Sequence, residues 1–580
     1  MRNLKRALSL ALAAIMLVGM MVVSASAASY NNLTDKDEIV NKDAVSMLVS
    51  LGIIEGKPDG SYAPTENVDR AQMAKMLSVI MNKGVDNSAL YQSVNSGLTD
   101  ITSHWAKGHI NYCYTTGIIA GRGTGTFDPS ATVTALEAAK MLLVAVGYDP
   151  AIEGFEGADW AINVSVRADE QGIFEGFTKD LSAPLNRDDA ALLIYNALDV
   201  EMIQSYTTNN YPIAYSDHRT ILADKYGVIK VQGVVVANEW ASLASDDGDA
   251  ALKEGKTTIY NGEGIFSTTG NTTVSKEDAS LKTQTFNVST PVDMLGKTVN
   301  LYIKKTTILA DSTVYGDPVV SDVNTVVTTG ETVLYSGAKD PQVDYDKLLG
   351  ENGLTDKDAK YFWNYNSGKY IPNTTEKYGD KTANVKGATL TIIDNNGDGE
   401  VDYVLSVEKA LADITSVNSK KETVTVRTLG TLDNKDVVGY EDMAKEDVVL
   451  YVQYGGRTYL EKPEVVTGEM EHFNVKGTEK YMTVGGEKYK ADELETNART
   501  EVVKFDVTEC DKANGVQFET SYNFYLDDYG NVIAFEEVEA AAKNYALVLD
   551  SAFSTNMLNT SGQVKVLLPD GTTKTYELNW

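Results

Sequence analysis

The 580-residue sequence predicts a multidomain chain, with a helical amino-terminal part followed by all-β, sandwich-like modules. Two observations carry this. The stretch Gly117–Val146 recurs upstream as Gly52–Met81 and downstream, with a loop three residues shorter, as Gly172–Leu198. Spacings of 65 and 55 residues mark one supersecondary unit used three times. Past Val200 the helical period of the apolar residues stops, and short alternating runs rich in Thr, Val, Tyr, Asp and Gly take over.

The chain opens on Met1–Ala28, where Arg2, Lys5 and Arg6 precede an apolar run from Ala7 to Val23 and a small-residue site, Ala25-Ser26-Ala27. This is the pattern of a secretory signal peptide, removed on export. No later segment is apolar enough to span a bilayer. With 51 Lys and Arg against 82 Asp and Glu, the net charge is −31, which argues against nucleic acid or an anionic membrane as a partner. The two cysteines, Cys113 and Cys510, fall in different modules and read as buried thiols.

Each repeat reads as helix, Gly-bounded turn, loop, helix: residues 30–90, 91–150 and 151–200. In the second copy the first helix carries Trp105, Ile110 and Tyr114, with Asp100 and Ser103 placed to cap its start, and ends near Gly117. The second helix has an N-cap in every copy: Asp69, Thr134 and Asn186. Gln72, Glu137 and Asp189 stand three positions later as capping-box partners, Asp being shorter than the usual Glu or Gln. Apolar residues follow at helical spacing, such as Met73, Met76, Leu77 and Ile80. One such helix cannot bury its stripe alone.

The chemistry lies at these helix starts. Arg70 and Arg187 occupy first helical positions, where a helix N-terminus and a planar, always-charged fork suit a carboxylate. The plainer alternative is a solvated first-turn arginine. Trp105 and Trp160 serve equally as sugar-stacking or core residues. The tetrads Asp69-Arg70-Ala71-Gln72, Thr134-Ala135-Leu136-Glu137 and Asn186-Arg187-Asp188-Asp189 resemble the Thr-Arg-Ala-Glu motif of the bacterial S-layer homology domain, a family usually found in threes. The resemblance implies an all-α pseudo-threefold trimer that binds pyruvylated secondary cell-wall polysaccharide. It also implies binding roles for Arg70, Arg187, Asp35, Asp100, Trp105, Trp160, Gly56, Gly121 and Gly176. Three positions depart from the pattern: Ala135 replaces the arginine, Val40 stands where the other copies have tryptophan, and Phe155 falls at the place of Asp35 and Asp100.

Residues 201–411, 412–540 and 541–580 read as β-rich modules, with boundaries near Ala412 and Ala540. The last piece is short for a domain. It completes its neighbour, or the chain is a truncated version of a longer one. Turn pairs such as Gly455-Gly456, Gly485-Gly486 and Asp570-Gly571 separate strands in hairpin fashion. The run from Asp394 to Asp402 places Asp394, Asn396, Asp398, Glu400 and Asp402 at calcium-loop spacing, with Gly399 at the sixth position. Leu405 at the twelfth position excludes a complete EF-hand, and a solvated turn is the alternative. Catalytic signatures are absent: the four histidines fall in no zinc-protease motif, and there is no nucleophile-elbow pentapeptide. The sequence therefore points to a secreted structural protein of the bacterial cell wall or S-layer, held non-covalently through its repeats and able to assemble with copies of itself. A wall-anchored carbohydrate-active enzyme or glycan-binding adhesin in the β region is the alternative.

Overall fold

A computed structural model describes residues 30–243, 251–262, 282–304, 312–330, 333–334, 343–367, 384–385, 388–477, 479–492, 494–538, 546–556, 559–568 and 571–579. The expected signal peptide and the boundary at Ala540 lie outside these residues.

Six helices form the amino-terminal part: α1 (Lys42–Ser50), α2 (Arg70–Met81), α3 (Lys107–Thr115), α4 (Ala135–Val146), α5 (Trp160–Glu170) and α6 (Arg187–Leu198). The capping residues act as their chemistry dictates. Asp69 and Thr134 accept from the backbone N–H of Gln72 and Glu137, whose side chains reach back to close the box. Asn186 caps α6 alone, because the shorter Asp189 turns instead to Lys179 at 2.5 Å. One expectation fails here. Trp105 and Asp100 precede α3, which begins at Lys107, and the Asp100 carboxylate caps nothing on that helix.

The three long helices α2, α4 and α6 are tied at their starts by a closed cycle of hydrogen bonds. Val68 N–H donates to Leu185 O at 2.9 Å, Leu185 N–H to Val133 O at 2.8 Å, and Val133 N–H to Val68 O at 2.9 Å. Each segment satisfies its neighbour's backbone, so no segment can be removed without orphaning the other two. Behind the cycle one core gathers Met73 and Leu77 of α2, Ala138 and Leu142 of α4, and Ala190 and Ile194 of α6. Cys113 is among these buried residues, and both cysteines are free.

Among the described residues the remainder is mainly sheet, with local exceptions to the all-β expectation: a π-helical turn at Leu222–Tyr226, a two-turn helix, α7, at Tyr345–Glu351, and 3-10 turns at Val292–Met294, Asn434–Asp436 and Val507–Glu509. A first five-stranded antiparallel sheet has Val228–Asn238 at its centre, flanked by Thr257–Tyr260 and Thr298–Lys304. A second five-stranded sheet centres on Tyr403–Glu408, which pairs antiparallel with Ala388–Asp394 and parallel with Lys360–Trp363. The two share a core of Val231, Leu301, Ile303, Phe362, Ile393 and Leu405. A seven-stranded and a six-stranded sheet follow, joined through Leu411, Leu450, Tyr525 and Ile533. The chain passes into the seven-stranded sheet at Ala410, so the boundary expected at Ala412 falls inside the strand Ala410–Asn418. The hairpin glycines behave as expected: Gly455 and Gly456 both take positive φ, 57° and 76°, between Val448–Tyr454 and Arg457–Glu461. A three-stranded antiparallel sheet, Leu547–Asn556, Asn559–Leu567 and Thr573–Asn579, ends the described chain.

The helical part and the first sheet are continuous. Tyr302 and Val228 of that sheet lie in the helical core cluster, and the Tyr195 hydroxyl donates to that of Tyr302 at 2.9 Å. Ser46 of α1 donates to Asp317 at 3.3 Å, and Gly316 N–H donates to Ser50 at the same distance. A Cβ on Gly316 would stand 3.3 Å from the Met47 backbone, so the strand approaches α1 closely.

Candidate functional site: the seams between repeats

Each long helix begins on the loop of another repeat. Arg70 N–H donates to Ala131 O and Ala71 N–H to Pro129 O, at 2.9 and 3.0 Å. The third helix repeats this on the first loop, with Arg187 N–H to Glu66 O at 2.8 Å and Asp188 N–H to Pro64 O at 3.1 Å. Helix α4 rests on the third loop through Leu136 N–H to Leu181 O at 3.1 Å. The helix N-termini therefore offer no row of unpaired N–H groups to an anion, contrary to the expectation from sequence. The loops of neighbouring repeats occupy them.

The arginine side chains follow their helices across the seams. Arg70 is 4% exposed, and its Nε and Nη2 donate to Phe127 O and Ala120 O, both at 2.9 Å. Its guanidinium lies 4.4 Å from the Phe127 ring. Burial, helped by the nearby Arg122 charge, holds this guanidinium down at about 10, so it is still charged at neutral pH. Arg187 is the counterpart: Nε donates to Tyr62 O at 2.8 Å, Nη2 to Glu55 O at 3.2 Å, and the fork lies 4.8 Å from the Tyr62 ring. Both arginines thus serve first as clamps on carbonyl oxygens of the neighbouring loop. Asp35 and Asp100 organise the same loops from within. Asp35 accepts from the N–H groups of Tyr62 and Ala63, both at 2.7 Å, and Asp100 from those of Phe127 and Asp128. Burial works against ionised Asp100, but these two N–H groups, with its own N–H and the Arg70 charge, together outweigh it and hold the carboxyl below its ordinary value.

At the first seam these parts enclose a cavity of about 360 Å³. Gly56 of the first repeat, Trp105 of the second and Arg187 of the third line it together. Trp105 is 56% exposed, and its indole packs edge-on to His109 with ring centres 6.4 Å apart. Gln72, Lys75 and Asp86 also line the cavity and were missed in the sequence. A signal for Lys75 existed, since Lys140 stands 65 residues later in the same helical turn of the next copy. Asp86, in the connection between repeats, had none. Beneath Trp105 a buried array joins Ser78 Oγ to His109 Nδ1 at 2.5 Å, with His109 Nε2 3.6 Å from Asp86.

The second seam assembles the equivalent set with different charges. Arg70 clamps the loop, and Trp160 lies 5.7 Å from Lys140 Nζ, which is itself donated to Phe155 O. Gly121 and Gly56 are both held close to the far side of their loops: a Cβ would meet Thr126 O at 2.9 Å in one and Ser61 O at 3.4 Å in the other. Glu137 enters this seam, 2.9 Å from Arg122 and 3.9 Å from Arg70.

The third seam lacks the aspartate, the arginine and the tryptophan. Its loop has Phe155 in place of the organising aspartate, its helical neighbour brings Ala135 in place of the arginine, and Val40, 82% exposed, stands in place of the tryptophan. Gly176 here adopts φ 73°, unlike Gly56 and Gly121. The three departures, scattered over three copies in the sequence, converge on one seam in the fold.

The acidic β-turn lies far from these seams in the chain. Asp394 is buried, with Oδ1 accepting from the N–H groups of Asn396 and Gly397 and Oδ2 from that of Gly399, at 2.7–3.1 Å. Asn396 accepts from Asp398 N–H, Asp398 from Glu400 N–H and Asp402 from Asn395 N–H. Glu400 pairs with Lys357. Burial, then the charges of Asp394 and Asp398, push the Asp402 carboxyl above its ordinary value. Among the described residues, no group of three or more His, Cys, Asp or Glu side chains is gathered to hold a metal ion.

Three helix pairs joined through their seams are thus followed by a series of β-sheets. The S-layer homology domain model matches residues 32–74 and 97–139, and these two repeats are S-layer homology domains. Its match does not extend to the third helix pair. The chain is 26% identical over 270 residues to a cell surface protein of Thermoanaerobacter kivui, covering 46% of this chain and 32% of that one. It is 27% identical over 241 residues to a middle cell wall protein of Brevibacillus brevis, 41% of this chain and 22% of that one. An S-layer protein of Bacillus licheniformis is 32% identical over 113 residues, 20% of this chain and 12% of the relative. The matches thus span a third or less of these relatives' lengths. Domains and relatives together place the chain among secreted, cell-wall-associated surface proteins. No helix among the described residues is long and apolar enough to cross a membrane.

Proposed function

We propose that the helical part is a pseudo-threefold trimer of S-layer homology repeats that holds the chain to pyruvylated secondary cell-wall polysaccharide, and that the β modules contribute to a surface layer of copies of this chain. One observation carries the anchoring: Gly56, Trp105 and Arg187, contributed by three different repeats, line one cavity. An exposed indole beside a guanidinium suits a sugar ring bearing an acidic substituent. The closed hydrogen-bond cycle supports the trimer. The test is sedimentation of the full chain with purified walls, with soluble wall polysaccharide as competitor. The chain should pellet with the walls, the competitor should release it, and Trp105→Ala should pellet less. A parent chain left in the supernatant, or a variant that pellets undiminished, overturns the reading.

The acidic turn from Asp394 to Asp402 is proposed as a calcium loop of the β region. Its support is the oxygen-rich spacing of the turn and the charge that Asp394 and Asp398 press on Asp402, which a divalent cation would relieve.

A further inference from the structure

We propose that the first seam alone receives the carboxylate of an acidic wall glycan, and that Gln72 is the residue that decides it. This rests on the wall-binding reading above and adds which seam, and why.

The two clamped seams share their architecture but not their charge. At the second seam an internal carboxylate already occupies the cations. Glu137, whose side chain is 18% exposed, lies 2.9 Å from Arg122 and 3.9 Å from Nη1 of Arg70, the one guanidinium nitrogen that the loop carbonyls leave over. Lys140 is held by Phe155 O. A glycan carboxylate arriving there must compete with Glu137 at close range.

At the first seam the residue equivalent to Glu137 is Gln72, which is neutral and lines the same cavity as Arg187. Arg187 spends Nε and Nη2 on carbonyls, and its Nη1 makes no hydrogen bond among the described residues. The cation equivalent to Arg122 is Lys57, which lines this cavity and is paired with Glu66. Glu55 and Asp86 also line this cavity, but their side chains are 72% and 55% exposed, where solvent screens them. No internal carboxylate therefore sits on the first-seam guanidinium as Glu137 sits on the second. The third seam has neither arginine nor tryptophan.

The residue can be changed without dismantling the helix. Gln72 Oε1 accepts from Asp69 N–H, and Glu137 makes the same contact with Thr134 N–H, so a glutamate closes this capping box as well.

The test is calorimetry of the full chain with acidic oligosaccharide fragments of the wall polysaccharide, intact and with their carboxylates converted to amides. Gln72→Glu should weaken binding of the intact fragment roughly tenfold at low salt, since it places a like charge beside the bound carboxylate. The loss should shrink as salt is raised, and affinity for the amidated fragment should be unchanged. Glu137→Gln should raise the amount of intact fragment bound at saturation roughly twofold, because the second-seam arginines are then released. Thermal unfolding of both variants should match the parent. The inference is overturned if Gln72→Glu binds the intact fragment as the parent does, if it loses both fragments alike, or if the parent already saturates at the level of Glu137→Gln. A parent that binds neither fragment overturns the wall-binding reading as well. A parent that binds both equally, with Gln72→Glu silent, removes this inference and leaves wall binding standing.

Discussion

Arg70 shows how one side chain can be conscripted by the neighbouring repeat. Its buried fork satisfies Phe127 O and Ala120 O, and truncation would leave both carbonyls in a seam with no donor. Arg70→Ala should destabilise the helical part by about 2–3 kcal/mol, read as a lowered midpoint in thermal circular dichroism. His109 adds a pH dependence. Burial lowers its pKa, Asp86 opposes this and Lys75 adds to it. The unfolded chain binds the proton near the ordinary histidine value of about 6.5, the folded chain only below it. Between the two values the unfolded state holds more protons, so stability is full above the unfolded pKa and is lost as pH falls through the folded one. Denaturant midpoints at pH 7.5, 6 and 5 should fall in that order, and His109→Gln should flatten the slope. The sequence placed Arg70 and Arg187 at helix starts; the carbonyls they clamp were not legible, because those belong to other repeats.

At the scale of elements, the starts of the three long helices were the most legible features, since an N-cap and the N–H group it satisfies stand within a few residues of one another. The seams were illegible for the opposite reason. Val40, Ala135 and Phe155 look like one blemish in each copy, and only the cyclic order of the loops brings them to the same place. Ala135 is fully buried at the third seam. Ala135→Arg should therefore destabilise the helical part by at least about 2 kcal/mol in the same melts, since a long charged side chain enters packed space without carbonyls prepared for it. The acidic turn makes a different prediction. Asp394 is committed to three backbone N–H groups, so Asp394→Ala should lower stability with or without calcium. Asp398 holds one N–H on the exposed side of the turn. Calcium should raise the melting midpoint of the parent by mass action, and Asp398→Ala should abolish that rise. A parent midpoint indifferent to calcium leaves an ordinary turn.

Across the whole molecule, a division at residue 200 separates the helical period from the β pattern but not the cores. Tyr302 packs with the helices, Lys230 pairs with Asp199 at 3.3 Å, and the strand Thr313–Val320 lies against α1. A fragment of residues 30–200 should unfold at a lower temperature than one of residues 30–322, and Tyr302→Ala should lower the helical transition of the full chain. The sequence hid this because nothing in a strand's alternation says which neighbour its outer face will meet.

The close approach of Gly316 to α1 has a mechanical meaning. A swivelling tether would let each copy turn freely on its foothold and pass on tension alone. A strand pressed against a helix instead passes on torque, so a load applied to the β modules arrives at the seams as a twist as well as a pull. Adding a side chain at Gly316, as in Gly316→Val, would wedge the joint open and should turn a stiff bracket into a loose hinge while the grip itself survives.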